Sequence, residues 1–214
     1  MKSPKEKVSL AVIRRLPKYY RYLNDLIGAG VAKISSKELG EAMGLTASQI
    51  RQDLNCFGGF GQQGYGYNVI YLREEIEKIM GLAGNLACII IGAGHLGGAL
   101  ASSRNLTGCG FRFVGIFDNS AAVVGTAVGG MIVRHTDELA EFCAKEKPQM
   151  AIIAVPPSAA SKLVLKLADL GVKGFWNFSG HIEGAPSSVI IEHMHVEDAM
   201  MTLSYRMKEN REDE

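Results

Sequence analysis

The sequence predicts an α/β protein with an N-terminal winged helix-turn-helix domain, a doubly wound parallel sheet after it, and a last helix at the C-terminus. Three observations support this fold class. Two short helical segments joined by a glycine-containing turn lie near residues 35–56, which is the pattern of a helix-turn-helix. An apolar run ends in Gly92, Gly94 and Gly97, the spacing of a phosphate-binding turn between a strand and a helix. From residue 87 onward, apolar strands alternate with helical segments, as a parallel sheet requires.

Composition indicates a globular chain of more than one domain. Its 214 residues are 47% hydrophobic and 21% charged. Residues 1–84 contain 12 Lys and Arg against 8 Asp and Glu, whereas residues 85–214 contain 11 against 14. The basic half is therefore the candidate for contact with a polyanion, although such a balance is also common in solvated domains. We expect domains at residues 1–84, 85–195 and 196–214.

The cysteine pattern and the N-terminus bear on the cellular context. The four cysteines form no CxxC pair, which argues against a structural metal site and predicts reduced, mostly packed thiols. The first residues contain no apolar signal core, and no apolar run reaches the length of a membrane span. These features predict a cytoplasmic protein.

The first 56 residues predict helices that surround a DNA-reading element. Apolar residues recur at helical spacing over residues 8–27, where Pro17 kinks or splits the helix. Ser35 or Ser36 caps the next helix, and Thr46 or Ser48 starts the second helix after a turn at Gly44. In a helix-turn-helix the second helix enters the major groove, where Gln reads adenine and Arg reads guanine. The predicted groove-facing residues are Ala47, Ser48, Gln49, Arg51 and Gln52. An ordinary helical hairpin with a polar outer face is the alternative.

Residues 57–71 alternate glycine with aromatic and polar residues, then become apolar at Val69 and Ile70, which predicts the hairpin of a wing. Glycines allow its backbone to lie close to the sugar-phosphate chain, where Gln62, Gln63 and Tyr65 would donate hydrogen bonds. A helix over residues 72–84 follows.

The second half predicts strands near residues 87–91, 111–118, 131–134, 150–155, 174–176 and 189–191, with helices near 96–106, 137–145 and 159–170. Asp118 ends a strand 21 residues after Gly97, where a carboxylate accepts a ribose hydroxyl and favours NAD over NADP. Val155 and Pro156 end another strand and form either an apolar wall for a cofactor ring or a rigid start of a loop. For the turn at Gly92, Gly94 and Gly97, the alternative is a glycine-rich connection from strand to helix that binds no ligand.

The sequence contains no recognisable acid–base pair for a dehydrogenase. His193 and His195 share one face of an extended segment, but no third metal ligand accompanies them, so we expect neither a metal nor catalysis. Residues 196–207 have apolar residues at helical spacing. That helix either covers its own sheet or packs on a second subunit, which would give the symmetry of a palindromic DNA site.

Both halves together resemble the Rex family of redox-sensing transcriptional repressors. The resemblance is carried by RRLPKYYRYL (14–23), TASQIRQDLNCFGGFGQQGYGYNV (46–69), GAGHLGGAL (92–100), FD (117–118) and NF (177–178). It implies a homodimer with C-terminal helices swapped between subunits, and a Rossmann domain for NAD(H). It also implies release of palindromic operator DNA when NADH is bound. The cofactor residues that follow from these motifs and from the strand ends are Gly92, Ala93, Gly94, His95, Leu96, Gly97, Phe117, Asp118, Val155, Pro156 and Asn177.

For DNA, the resemblance implies Ser48, Gln49, Arg51 and Gln52 in the recognition helix and Gln62, Gln63 and Tyr65 in the wing. It also implies that Arg21 acts between the two halves. His195 stands where the family frequently has an aspartate, which puts a simple Asp to Arg switch in doubt. The alternatives are an NAD-dependent oxidoreductase with an accessory N-terminal domain and a sensor of another adenine-containing ligand, such as coenzyme A.

Overall fold

A computed structural model describes residues 8–61 and 65–212, and these divide into two compact units at Gly84 and Asn85. The predicted wing residues Gln62 and Gln63 lie outside the described residues. The elements of the first unit are, in chain order, α1 (Leu10–Ile13), α2 (Leu16–Gly28), β1 (Lys33–Ile34), α3 (Ser36–Met43), α4 (Ala47–Asn55), β2 (Tyr67–Asn68), α5 (Val69–Ile79) and a 3₁₀ turn (Leu82–Gly84).

The first unit is a set of helices around one apolar core. The helix predicted over residues 8–27 is split, because α1 ends at Ile13 and α2 starts at Leu16 with Pro17 in its first turn. Proline is tolerated there because the first N–H groups of a helix have no partner within it. The largest fully buried side chains of this core are Tyr19, Leu23, Leu39, Ile50, Leu54, Leu72 and Ile76.

The wing hairpin predicted from residue 57 onward includes residues outside the described ranges and stays a prediction. β2 pairs antiparallel with β1, and among residues 57–61 and 65–66 only Gly66 forms an isolated β-bridge. Val69 and Ile70, which the prediction included in the hairpin, form the first turn of α5. The reason is a helix cap, because the side chain of Asn68 accepts a hydrogen bond from the backbone N–H of Tyr71 at 2.9 Å.

The second unit is a sheet flanked by helices. Its elements are β3 (Leu86–Ile91), α6 (His95–Ala101), α7 (Arg104–Gly108), β4 (Phe111–Asp118), β5 (Ala127–Val128), β6 (Met131–His135), a 3₁₀ turn (Thr136–Glu138), α8 (Leu139–Glu146), β7 (Met150–Ile153), α9 (Pro157–Asp169), β8 (Gly174–Asn177), β9 (Ile190–His193) and α10 (Val196–Glu212). The helix predicted over residues 96–106 is broken after Ala101. The short strand β5 was not predicted from the sequence.

The strand order is β5-β6-β4-β3-β7-β8-β9, with all pairs parallel except β5 with β6. Without the short β5, this is the doubly wound order in which the chain leaves the first strand in opposite directions, and ligands bind at that reversal between β3 and β7. Ile89 and Ile91 pack on one side of β3 and Ile90 on the other, and all three are fully buried. Helices therefore cover both faces of the sheet, as in the predicted Rossmann-like fold.

The packing of the cysteines and of α10 bears on two predictions. Cys88 and Cys143 are buried and Cys109 is partly buried, whereas Cys56 is exposed, and burial raises the pKa of the Cys88 thiol to about 11. Residues 196–210 of α10 are exposed, so of the two alternatives for this helix the structure does not favour coverage of its own sheet. None of the helices in the described part of the chain is both long and apolar enough to span a membrane.

Candidate cofactor cleft and DNA-binding helix

Two of the three glycines after β3 are required by close backbone contacts within the protein, and the third is not. Gly92 has a φ of +101°, and a Cβ there would lie 2.3 Å from the carbonyl oxygen of Ala154. A Cβ at Gly97 would lie 1.8 Å from the carbonyl oxygen of Gly92, so only glycine lets α6 approach the turn this closely. Gly94 differs, because a Cβ there would meet no protein atom within 4 Å. The absence of a side chain at Gly94 leaves space for a ligand, which is the role predicted for the second glycine.

Asp118 holds this turn through its carboxylate. Its Oδ2 accepts the backbone N–H of Ala93 at 2.7 Å, and its Oδ1 accepts the N–H of Ser120 at 2.8 Å. The N–H of Gly92 donates to the carbonyl oxygen of Phe117 at 2.8 Å. Each carboxylate oxygen retains capacity to accept a further hydrogen bond from a ribose hydroxyl.

A cleft of about 570 Å³ opens at the carboxyl ends of β3, β4 and β7. Five predicted cofactor residues line it: Gly92, Gly94, Asp118, Val155 and Pro156. Its other charged residues are Asp137, Lys162 and Lys166. Gly94 also precedes the first residue of α6, so the N–H groups of that helix start at the cleft. The size, the apolar wall and the helix N-terminus fit a dinucleotide.

The helix-turn-helix of the first unit follows its predicted capping signals. Ser35 caps α3 in a reciprocal capping box with Glu38, and Thr46 caps α4 through the N–H of Gln49. Gly44 ends α3 in the left-handed conformation, with a φ of +66°. A Cβ at Gly40 would lie 2.7 Å from the carbonyl oxygen of Leu45, so the turn packs directly on α3.

On α4, Ser48, Arg51 and Gln52 are exposed, as a major-groove face requires. Arg51 donates to the hydroxyl of Ser36 on α3 at 2.9 Å. Gln49 departs from the prediction, because its side-chain amide donates to Asp53 at 2.9 Å instead of pointing outward.

Asp53 is a residue that sequence reasoning missed. It is buried on the inner side of α4 and pairs with Arg15, whose Nε lies 2.5 Å from its Oδ2. Burial by itself raises the pKa of this carboxyl, but hydrogen bonds from Arg15, Tyr19 and Gln49 outweigh it and hold the pKa below its ordinary value. The signal in the sequence was an aspartate between Ile50 and Leu54 on the apolar stripe of the helix.

A second cleft, of about 620 Å³, lies between α4 and the glycine-rich segment after it. Arg51, Gly59, Gly61 and Gly66 line it. Tyr65 is 72% exposed, and the ammonium of Lys33 lies 5.9 Å from its ring centroid. This edge of the unit therefore presents cations and an aromatic ring to solvent.

Comparisons with known proteins cover both units. A family model described as "Putative DNA-binding protein N-terminus" matches residues 7–55, and one described as "CoA binding domain" matches residues 83–181. The redox-sensing transcriptional repressor Rex of Caldicellulosiruptor saccharolyticus is 44% identical over 96% of this chain and 94% of its own length. The Rex of Thermoanaerobacter pseudethanolicus is 46% identical over 97% of this chain and 92% of its own.

The chain belongs to the Rex family of redox-sensing transcriptional repressors. Solved structures agree with this assignment. RSP in complex with beta-NAD+ and operator DNA superposes with a TM-score of 0.89 at 45% identity, and covers 96% of this chain and 95% of its own. RSP in complex with beta-NADH superposes with a TM-score of 0.88 at 42% identity, over 96% and 97% of the two chains.

Several residues predicted to contact the cofactor are not among those that line the cleft. The Phe117 ring is fully buried and packs edge-on against Phe142, so only its backbone supports the turn. Ala93 and Gly97 are buried, whereas His95 and Leu96 are exposed as the first residues of α6, whose N–H groups start at the cleft. The predicted contact of His95 and Leu96 with a pyrophosphate stays a prediction.

Asn177 is also buried, being 1% exposed, and both ends of its side-chain amide have hydrogen-bond partners in the protein. The amide nitrogen donates to the Gly180 carbonyl oxygen and lies 2.9 Å from His193 Nδ1, and the amide oxygen accepts from Ser179 N–H at 3.0 Å. The Ser179 hydroxyl in turn donates to the Val155 carbonyl oxygen at 2.6 Å. Asn177 therefore supports the loop behind Val155, and its predicted contact with the cofactor stays a prediction.

Arg21 and His195, which the resemblance implies link the two halves of the chain, lie in the first and the second unit, respectively. Arg21 is exposed on α2. The ring of His195 stacks on that of His193 at 6.3 Å between centroids, and its Nδ1 lies 3.7 Å from Glu197 Oε1. Within the described ranges, no group of three or more His, Cys, Asp or Glu residues is arranged to hold a metal ion.

Proposed function

We propose that this Rex-family chain is a transcriptional repressor that binds operator DNA through α3 and α4 and binds NAD(H) in the cleft after β3. NADH binding releases the repressor from DNA. The observation that carries the proposal is the match to RSP, whose solved complexes with beta-NAD+ and operator DNA and with beta-NADH each cover 96% of this chain. The steric and hydrogen-bonding pattern of Gly92, Gly94, Gly97 and Asp118 supports the same ligand.

In the cofactor cleft, the backbone at Gly92 and Gly94 would approach the pyrophosphate, and the Asp118 carboxylate would accept a ribose hydroxyl. Val155 and Pro156 would form the apolar wall for a ring. The same carboxylate would repel a 2′-phosphate, which favours NAD over NADP. NADH fluorescence titrated with NAD+, NADP+ and coenzyme A tests this ligand class, because displacement by coenzyme A at a lower concentration than NAD+ would contradict it.

For DNA, the proposed contacts are Ser48, Arg51 and Gln52 on α4 and Gln62, Gln63 and Tyr65 in the segment after it. Exposure of the first three and of Tyr65 supports this set. In functional terms, residues 1–84 bind DNA, residues 85–195 bind the cofactor, and residues 196–214 dimerise. A repressor with this role acts where the operator DNA is, in the cytoplasm.

The switch is a population shift between two arrangements of a dimer. A ligand moves such an equilibrium only by the difference in its affinity for the two states. NAD+ and NADH differ in the charge and planarity of the ring, and the apolar wall at Val155 and Pro156 is where this chain would sense that difference. Arg21 and His195 are the proposed residues for transmitting it between halves.

The proposed dimer uses α10, whose exposed apolar residues Met200, Leu203 and Met207 are 72%, 57% and 51% exposed in the single chain. Two-fold symmetry would match a palindromic operator. The chain would have no enzymatic activity, since the titratable residues lining the cleft are aspartates and lysines that form no recognisable acid–base pair. Turnover of NADH with small carbonyl substrates at catalytic rates would overturn this part of the proposal.

A further inference from the structure

The carboxylate of Asp53 accepts four hydrogen bonds within the first unit. Oδ2 accepts from Arg15 Nε at 2.5 Å and from the Tyr19 hydroxyl at 2.5 Å. Oδ1 accepts from Arg15 Nη2 at 2.8 Å and from Gln49 Nε2 at 2.9 Å. The residue is only 1% exposed, so water does not replace these donors.

The donors come from two different places in the chain. Arg15 lies at the break between α1 and α2, and Tyr19 lies in the first turns of α2, 38 and 34 residues before Asp53. Gln49 is one helical turn before Asp53 on α4 itself. The network therefore joins the start of α2 to the inner face of α4, and Gln49 contributes its amide to that joint.

We propose that Asp53 is a positioning residue for operator recognition, which sets the rotation of α4 about its own axis through Arg15 and Tyr19. Gln49 belongs to this network and contacts no base. The residues of α4 that remain as candidates for base contacts are Ser48, Arg51 and Gln52. This inference rests on the proposed DNA-binding function and deepens it.

The rotation of α4 decides where its outer side chains lie. Those side chains extend about 5–6 Å from the helix axis, so a rotation of about 20° displaces them by about 2 Å. A hydrogen bond to a base edge tolerates only a few tenths of an ångström. Contacts to phosphates from flexible cations tolerate more, and nonspecific DNA binding depends on them. A misplaced α4 therefore loses specific binding before it loses nonspecific binding.

The test uses the full chain and a duplex selected from a random-sequence pool by the wild-type protein, with a scrambled duplex of equal composition as the nonspecific probe. In Asp53→Asn, affinity for the selected duplex should fall by about tenfold or more, the value of one good base contact. Affinity for the scrambled duplex and for NADH should stay within about twofold. A parallel fall for both duplexes would show a folding role only and overturn the proposal, as would an unchanged selected-duplex affinity.

A second variant, Gln49→Ala, keeps three of the four donors and serves if Asp53→Asn does not fold. Its affinity should fall by a similar factor for every single-base variant of the selected duplex. Loss of discrimination at one base position would identify Gln49 as a base reader and overturn the proposal. Gln52→Ala is the matched control, an exposed glutamine on the same helix that should lose discrimination at one position. Selection of no preferred duplex by the wild-type chain would instead contradict the proposed function itself.

Discussion

Gly94→Ala is the substitution that separates cofactor binding from folding most cleanly in this chain. Gly94 has a φ of −70° and a ψ of −167°, which alanine adopts without strain. A Cβ at this position meets no protein atom within 4 Å. The methyl group would project into the space that a pyrophosphate needs, at the start of α6. We therefore expect Gly94→Ala to leave the stability of the folded protein unchanged and to weaken cofactor binding.

The magnitude follows from the hydrogen bonds at stake. A methyl group at the helix start would push a pyrophosphate oxygen away from a backbone N–H, and a hydrogen bond to a charged group contributes about 1.5–3 kcal/mol. The Kd for NADH should then rise by roughly 10- to 150-fold at 25 °C. The free energy of unfolding without cofactor should change by less than about 0.5 kcal/mol.

Fluorescence of bound NADH and urea unfolding measure these two quantities on the same preparation. Gly98→Ala is the matched control, because its Cβ would make an ordinary contact of 3.5 Å with Val128 and it lies within α6. It should keep wild-type affinity and gain about 0.5–1 kcal/mol of stability. In Gly97→Ala the free energy of unfolding should fall by about 1–3 kcal/mol or more, because the added Cβ would overlap the Gly92 carbonyl oxygen. Wild-type NADH affinity in Gly94→Ala would refute the placement of the pyrophosphate.

Three further predictions follow from the same geometry. Asp118→Ala should weaken NADH and NAD+ alike by about tenfold or more, because it removes the acceptor of both the Ala93 N–H and a ribose hydroxyl; normal release of DNA by NADH in this variant would contradict the cofactor assignment. Asp53→Asn should lower stability by about 3–5 kcal/mol at pH 7 in urea unfolding. The folded pKa of Asp53 is lowered, so its contribution is present above the unfolded pKa of about 3.9 and is lost as pH falls through the folded value. The gap between wild type and variant should therefore shrink below about pH 4, and a constant gap would count against the ionised network. Leu203→Glu should weaken the proposed dimer by about tenfold or more in sedimentation equilibrium, whereas Thr202→Glu on the same helix should not.

The sequence was most informative where one residue type has a single physical reason to be present. Gly92 and Gly97 were predictable because a close backbone approach excludes every side chain, and Asp118 was predictable because it ends the next strand at the required spacing. The helix-turn-helix was predictable from capping residues, since Ser35 and Thr46 satisfy N–H groups a few residues away. These are local relationships that a chain displays in its order.

Long-range pairings were the part that the sequence concealed. The bond between Arg15 and Asp53 joins residues 38 positions apart, and no local pattern specifies it. The pairing of β2 with β1 likewise depends on Gly66, where a Cβ would lie 2.6 Å from the Ile34 carbonyl oxygen. The motif of Asn177 predicts a cofactor contact because it lies at a strand end, but only the structure shows that its amide also hydrogen-bonds to the loop behind Val155. Some residues contact a ligand directly, and others hold the contacting residues in place. Only the folded structure distinguishes the two kinds.

We expect one cofactor, in its two oxidation states, to control DNA binding by this chain. The direct measurement is the affinity for the selected duplex at fixed salt with NADH, with NAD+ and without either. We predict that NADH weakens binding by at least about tenfold, equivalent to about 1.4 kcal/mol of coupling, whereas NAD+ leaves it intact. Equal affinities in all three conditions, with NADH shown to be bound, would contradict the account.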